Sequence, residues 1–115
     1  MASQLRSDLW VAAFVRRHND LGRMCVVSRR GDPVAGQILV EVDHLNGEAT
    51  LYMPAPAALR PDDPAQRYFS LRIDHGSPAD VRARIERELE FDPDLWVVSL
   101  DLRSGDPGLE IVAQR

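Results

Sequence analysis

From Ser3 to Leu21 apolar residues recur at spacings of three and four, with Leu5, Leu9, Ala12, Ala13 and either Trp10 or Phe14 on one stripe, which predicts a first helix. Gly22 supplies a left-handed stop, and Arg16, Arg17 and His18 fall in the last turn, where the carbonyl end of the helix favours positive charge. From Met24 onward the period changes to two. In "QILVEVDHLNGEATLYM" Ile38, Val40 and Val42 share one face while Glu41 and Asp43 take the other. Asn46-Gly47 is a strong two-residue hairpin signal, because both central positions of a type I′ turn need positive φ. The strands near 37–44 and 48–53 are therefore expected to pair antiparallel. The turn-rich "GDPVAG" is expected to join the strand Met24 to Arg29 to the one beginning near Gln37, giving a three-stranded meander.

The prolines of "PAPAALRPDDPAQR" interrupt both regular periods, so residues 54–67 form a connecting loop. "YFSLRID" then reads as a fourth strand, with Phe69, Leu71 and Ile73 inward. "HGSPADVRARIERELEFDPDLW" holds a helix start, with Ser77 as N-cap and Pro78 at the first helical position. Val81, Ile85 and Leu89 form its narrow apolar stripe, and Asp80 and Arg84 are spaced for an i,i+4 pair. "LWVVSLDL" follows as a fifth strand, apolar on both faces in its first half, which suggests an interior place in the sheet. The tail "RSGDPGLEIVAQR" makes a turn and a short edge strand. The expected fold is α+β: a mainly antiparallel five-stranded sheet with two helices packed on one face, in the order α-β-β-β-β-α-β. The other face would carry Arg29, Glu41, Asp43, Thr50, Tyr52, Ser70 and Arg72 to water or to a partner.

At 115 residues the chain matches one globular domain spanning residues 1–115. No apolar run approaches the roughly 20 residues of a membrane span. The opening "MASQLRSDLW" lacks the apolar segment of an export signal, so the expected location is cytoplasmic and no membrane partner is expected. One cysteine, Cys25, allows neither an intramolecular disulfide nor a cysteine-built zinc site, and it reads as a small core residue.

All 14 basic residues are arginine, which removes the Schiff-base and phosphate-loop chemistry that needs a lysine amine. The net charge of −4 argues against general nucleic-acid binding. It is unevenly spread: residues 1–30 hold six arginines against two acids, while both later segments, 31–75 and 76–115, are acidic.

Motifs for catalysis are absent. His44 and His75 each follow an aspartate, but adjacent strand side chains point to opposite faces, so neither pair is expected to share an ion. Asp92 and Asp94 lack calcium-loop spacing, since Trp96 stands where a third oxygen ligand is needed. No glycine-rich dinucleotide or phosphate loop occurs, and no cofactor or metal is expected. What remains is arginine. Arg16, Arg17, Arg29 and Arg30 flank the first turn of the chain, and a helix end beside a strand end would gather them into a site for a phosphate or carboxylate.

"DLWVAAFVRR", "VVSRRGDPVAGQILV", "LYMPAP" and "FDPDLWVV" together resemble, in order and spacing from about Leu5 to Leu102, domain-of-unknown-function family 1491, a group of small bacterial proteins. The resemblance implies a short single-domain protein with no assigned activity and carries over no catalytic residue. Arg16, Arg17, Arg29, Arg30, Gly31, Asp32, Tyr52, Pro54, Pro56, Asp92, Asp94 and Trp96 are the matching positions.

The leading expectation is a non-enzymatic binding module that recognises an anionic small molecule or a protein partner through Arg16, Arg17, Arg29 and Arg30 with Tyr52 of the open face. The alternative is a small metal-dependent hydrolase or nuclease-like enzyme using Asp92, Asp94 and His75. A third reading is a homodimer through an unpaired sheet edge.

Overall fold

The structure, a computed structural model, describes residues 5–63 and 65–112. In chain order its elements are α1 (Ser7–Asp20), β1 (Cys25–Arg29), β2 (Ile38–Asp43), β3 (Ala49–Pro54), a 3-10 turn at Ala57–Leu59, β4 (Tyr68–Gly76), α2 (Pro78–Phe91), β5 (Trp96–Asp101) and β6 (Glu110–Ile111). The sheet has six strands in the order β1-β5-β2-β3-β4-β6. β5 runs antiparallel to β1 but parallel to β2, and β6 runs parallel to β4, so the sheet is mixed.

This corrects the expected five-stranded, mainly antiparallel sheet. The first three strands form no meander, because β5 lies between β1 and β2. The loop "RRGDPVAGQ" therefore crosses over the entry of β5 instead of closing a hairpin. Asp32 donates its amide to Asp94 O at 3.0 Å, and the Trp96 indole donates to Asp32 O at 2.7 Å. Asp32 also accepts from the amides of Val34 and Ala35, which tightens the turn. Gly31 and Gly36 are required by proximity: a Cβ on Gly31 would lie 2.1 Å from Asp94 O, and one on Gly36 would lie 2.5 Å from the same atom. The turn residues of this loop thus serve chain packing.

The helices lie on opposite faces, a second correction. On one face Val11 and Phe14 of α1 pack with Cys25, Ile38, Val40, Val42, Phe69, Trp96, Val98 and Leu100. On the other, Val81 and Ile85 of α2 pack with Leu39, Ala49, Leu51, Met53, Leu95 and Val97. Both faces of β2 and β5 are thereby buried, which is why these strands read as nearly continuous apolar runs. The expected polar face is divided: Thr50 and Tyr52, opposite Val42 and Val40, share the α1 side, while Glu41, paired with Leu51, takes the α2 side.

α1 is also rotated from the expected orientation. Its buried positions are Ser7, Val11, Phe14 and His18, whereas Leu5, Leu9, Ala12 and Ala13 are exposed. Its start is set by the 33–36 loop. Ser7 N donates to Val34 O, Asp8 N to Pro33 O, and the buried Ser7 hydroxyl to Gly36 O at 2.6 Å. Those partners satisfy amide groups that no side-chain cap reaches. The expected start at Ser3 lies outside the described residues.

α2 begins at its N-cap as Ser77 accepts from Asp80 N at 3.0 Å, but Arg84 pairs forward with Glu88 at 3.1 Å and not back with Asp80. β2 and β3 pair antiparallel, joined by residues 44–48, with positive φ at Leu45 and Gly47. Asn46 therefore does not occupy the type I′ position its pairing with glycine suggested. Among the described residues no helix is long and apolar enough to cross a membrane.

Candidate functional site

α1 ends where β1 begins: the chain turns at Gly22 (φ +80°), and Asn19 Oδ1 accepts from Cys25 N at 3.1 Å. Arg16 and Arg17 sit beside this junction, but β1 then leads away from it. At about 3.3 Å per residue, Arg29 is roughly 13 Å farther along the strand. Arg29 and Arg30 lie instead near the β5 entry. Arg29 Nη1 donates to Leu95 O at 2.7 Å, and the Arg30 guanidinium stands 5.5 Å from the Trp96 ring centre. Arg17 and Arg29 line different clefts, and Arg30 lies against the Trp96 ring. Tyr52 lines neither cleft. It is half-buried on β3, and burial, then the Asp74 and Asp106 carboxylates, push its hydroxyl pKa up.

The residues of the enzyme alternative are separated too. His75 precedes α2 while Asp92 and Asp94 follow it, and a 14-residue helix spans about 20 Å. Asp92 Oδ1 accepts from Asp94 N, which shapes the turn into β5. Among the described residues no group of three or more His, Cys, Asp or Glu side chains is placed to hold a metal ion.

Two arginines that do share a space are Arg17 and Arg67. A cleft of about 230 Å3 opens between α1 and the β6 edge, lined by Trp10, Arg17, Arg67 and the segment Gly108–Glu110. Trp10 is held by stacking on Phe14 at 5.0 Å and by Phe69 at 5.5 Å. Arg17 is exposed, its guanidinium 5.8 Å from the Phe14 ring centre. Arg67 is half-buried, and its Nη2 donates to Leu5 O at 2.8 Å and to the Ser7 hydroxyl at 3.2 Å. Its Nε is buried with no hydrogen-bond partner among the described residues. Among the described residues neither arginine has a carboxylate within 4.0 Å, and the ion pairs present are Arg6–Asp8, His75–Asp74 and Arg84–Glu88. Burial lowers the Arg67 pKa from its very high ordinary value, the expected cost of a cation removed from water without a counter-ion. Sequence reasoning missed Arg67 because it closes a proline-rich loop with no periodic signal, and its nearness to Arg17 depends on where β4 lies.

A second cluster closes the opposite end of β3. The buried His44 places Nδ1 2.9 Å from Leu102 O, so Nδ1 carries the proton and Nε2 accepts from the Thr50 hydroxyl at 2.7 Å. Thr50 Oγ1 in turn accepts from His75 N, and the two imidazoles stack at 4.1 Å. His75 has φ +52° and bonds its neighbour Asp74 at 2.7 Å. Strand alternation fails there because the β3–β4 register shifts between Ala49 and Leu51. His18 makes a third polar contact in the interior. Its Nε2 donates to Pro107 O at 2.8 Å and its Nδ1 accepts from Arg23 at 3.1 Å, tying the β5–β6 connection to α1. Cys25 is buried, and burial pushes its thiol up to about 11, consistent with a packing role.

No curated protein matches the chain. Among solved structures, a DUF1491 family protein from Caulobacter crescentus CB15 is similar in crystal form, with 32% identity over 95% of this chain and 98% of that one and a TM-score of 0.77. The solution structure of protein Atu0922 from A. tumefaciens shares 33% identity over 97% and 98%, with a TM-score of 0.82. The NMR structure of the Caulobacter crescentus family protein gives 32%, 98% and 99%, and 0.76. A family model described as a protein of unknown function (DUF1491) matches residues 5–110, and the chain belongs to this family.

Proposed function

We propose that this protein is a non-enzymatic cytoplasmic binding module for a small anionic ligand, held in the cleft between Arg17 and Arg67. The observation that carries the reading is that Arg17 and Arg67 line one cleft and neither has a carboxylate within 4.0 Å among the described residues. A carboxylate or phosphate oxygen in the cleft would accept from the guanidinium groups and offset part of the desolvation of Arg67. Arg17 would close on the same group from α1, with the Trp10 face as an apolar wall. Glu110 at the rim disfavours a second negative charge on that side, so a compact monoanionic group fits better than an extended polyanion. Arg29 and Arg30 lie outside this site.

The test is a titration of backbone amide signals with inorganic phosphate and, separately, acetate. Saturable shifts are expected at Arg67 and Gly108–Glu110. A hydrogen bond to a charged group contributes about 1.5–3 kcal/mol, so Arg17→Gln should weaken binding about tenfold or more. Arg16→Gln, one position away on the exposed helix face, should bind as the parent does. Equal binding by the parent and Arg17→Gln, or no saturable shift with either anion, overturns the reading.

A further inference from the structure

His18 lies in the last turn of α1, one position after Arg17, and its side chain is buried. An arginine side chain can only donate, so the Arg23 contact at 3.1 Å marks Nδ1 as an acceptor, and Nε2 carries the proton given to Pro107 O at 2.8 Å. The ring is thereby held neutral and in one tautomer. It also adjoins the cleft: Gly108 lines that cleft, and a Cβ on it would lie 3.6 Å from His18 Nε2. Asp106 Oδ1 accepts from Gly108 N at 2.8 Å and steadies the same turn. Among the described residues Arg23 and Arg17 oppose a proton on the ring, and the Asp106 carboxylate favours one.

We infer that the cleft and His18 are coupled: an anion held by Arg17 and Arg67 draws a proton from solvent onto His18 Nδ1, and the cleft holds its anion more tightly in mild acid. The inference rests on the anion reading of the cleft. Without an anion the ring faces two guanidinium groups against one carboxylate, which disfavours the added charge. An anion on Arg17 offsets one of the two. Nε2–H stays on Pro107 O, while the new Nδ1–H meets another donor, so Arg23 has to swing toward solvent. Nothing of opposite charge restrains it, since among the described residues Arg23 has no carboxylate within 4.0 Å. The carbonyl end of α1 favours the cation that results. Linkage makes the effect reciprocal: whatever the anion does for the proton, the proton does for the anion. Affinity is therefore level where the ring is neutral with and without anion, and climbs as pH falls through the titration of the anion-bound form.

Formate, a monoanion that stays ionised in mild acid, is the probe. The His18 ring signals of the whole chain are followed by NMR from about pH 7.5 to about pH 5, with and without saturating formate. His18 is expected to titrate at higher pH with formate present, and formate affinity to rise several-fold across the range, within the roughly 5–150-fold typical of coupled sites. Arg23 does not line the cleft, so Arg23→Gln should bind formate at about pH 7.5 as the parent does, while its His18 takes the proton at higher pH even without formate. His18→Gln keeps an amide donor for Pro107 O but cannot titrate, and once shown to be folded it should lose most of the pH dependence. The parent's own ring signals decide the matter if that variant misfolds. Saturable formate binding with an unchanged His18 titration overturns the coupling and leaves the cleft reading standing, as does a folded His18→Gln that keeps the full pH dependence. No saturable formate binding at either pH overturns both.

Discussion

Replacing Gly31 with alanine adds one methyl group where the structure leaves no room. The new Cβ would stand 2.1 Å from Asp94 O, 2.7 Å from Leu95 C and 2.7 Å from Trp96 Cδ1. Two of these neighbours are backbone at the entry of a central strand, and the third is a ring fixed by its bond to Asp32 O. Relief requires the 30–36 loop to move outward by more than 1 Å, on the order of the missing contact distance. That shift strains the Asp32 N–Asp94 O bond and the loop carbonyls that hold Ser7 and Asp8. Overpacking of this kind costs typically 1–3 kcal/mol and occasionally more, and this site belongs at the upper end, about 3 kcal/mol. For a chain of this size 1 kcal/mol corresponds to about 4 °C, so Gly31→Ala should melt roughly 10 °C below the parent. Thermal unfolding followed by circular dichroism measures it. Gly47→Asn is the matched control: φ there is +88° with nothing within 4 Å, so its cost is only that of the left-handed backbone, which asparagine tolerates. Its loss should be under about 1 kcal/mol. If Gly31→Ala melts within a few degrees of the parent, or no lower than Gly47→Asn, the close approach is not a constraint and the loop's glycines need another explanation.

Burial lowers the His18 pKa, so the unfolded chain takes up this proton first. The stability from neutral His18 is complete above pH 6.5 and is lost as pH falls from there toward the lower folded value. His18→Gln should flatten the fall in melting temperature between neutral and mildly acidic pH, and an unchanged slope would show that other groups set it. Thr50→Val keeps the side-chain shape but strips His44 Nε2 and His75 N of a partner in a buried site, at an expected cost of about 1–3 kcal/mol in chemical denaturation. A neutral result would mean water replaces the hydroxyl.

What the sequence disclosed was local. Ser77-Pro78 marks a helix start because capping is settled within four residues, and the alternation in Ile38–Asp43 marks a strand because side-chain direction is a property of the chain alone. The face that α1 buries is not local. Leu5, Leu9, Ala12 and Ala13 form as good a stripe as Val11 and Phe14, and the choice fell to the Ser7 hydroxyl's bond to Gly36, 29 residues away. Strand order was equally hidden: the turn residues of Arg30–Gln37 fit a hairpin, and only the backbone contact with Asp94 shows that the loop skirts another strand. The cleft followed the same rule. Arg17 stood out by its place at a helix end, whereas Arg67 acquired significance only through its neighbours in space.

The central place of β5 has a consequence for how the chain is made. Its residues, Trp96–Asp101, leave the ribosome after both strands that flank them, yet among the described residues β1 has no other strand to pair with and β2 lacks one neighbour until they arrive. The emerging polypeptide therefore carries exposed strand edges until β5 appears, and its sheet closes by insertion between two waiting segments and not by successive addition.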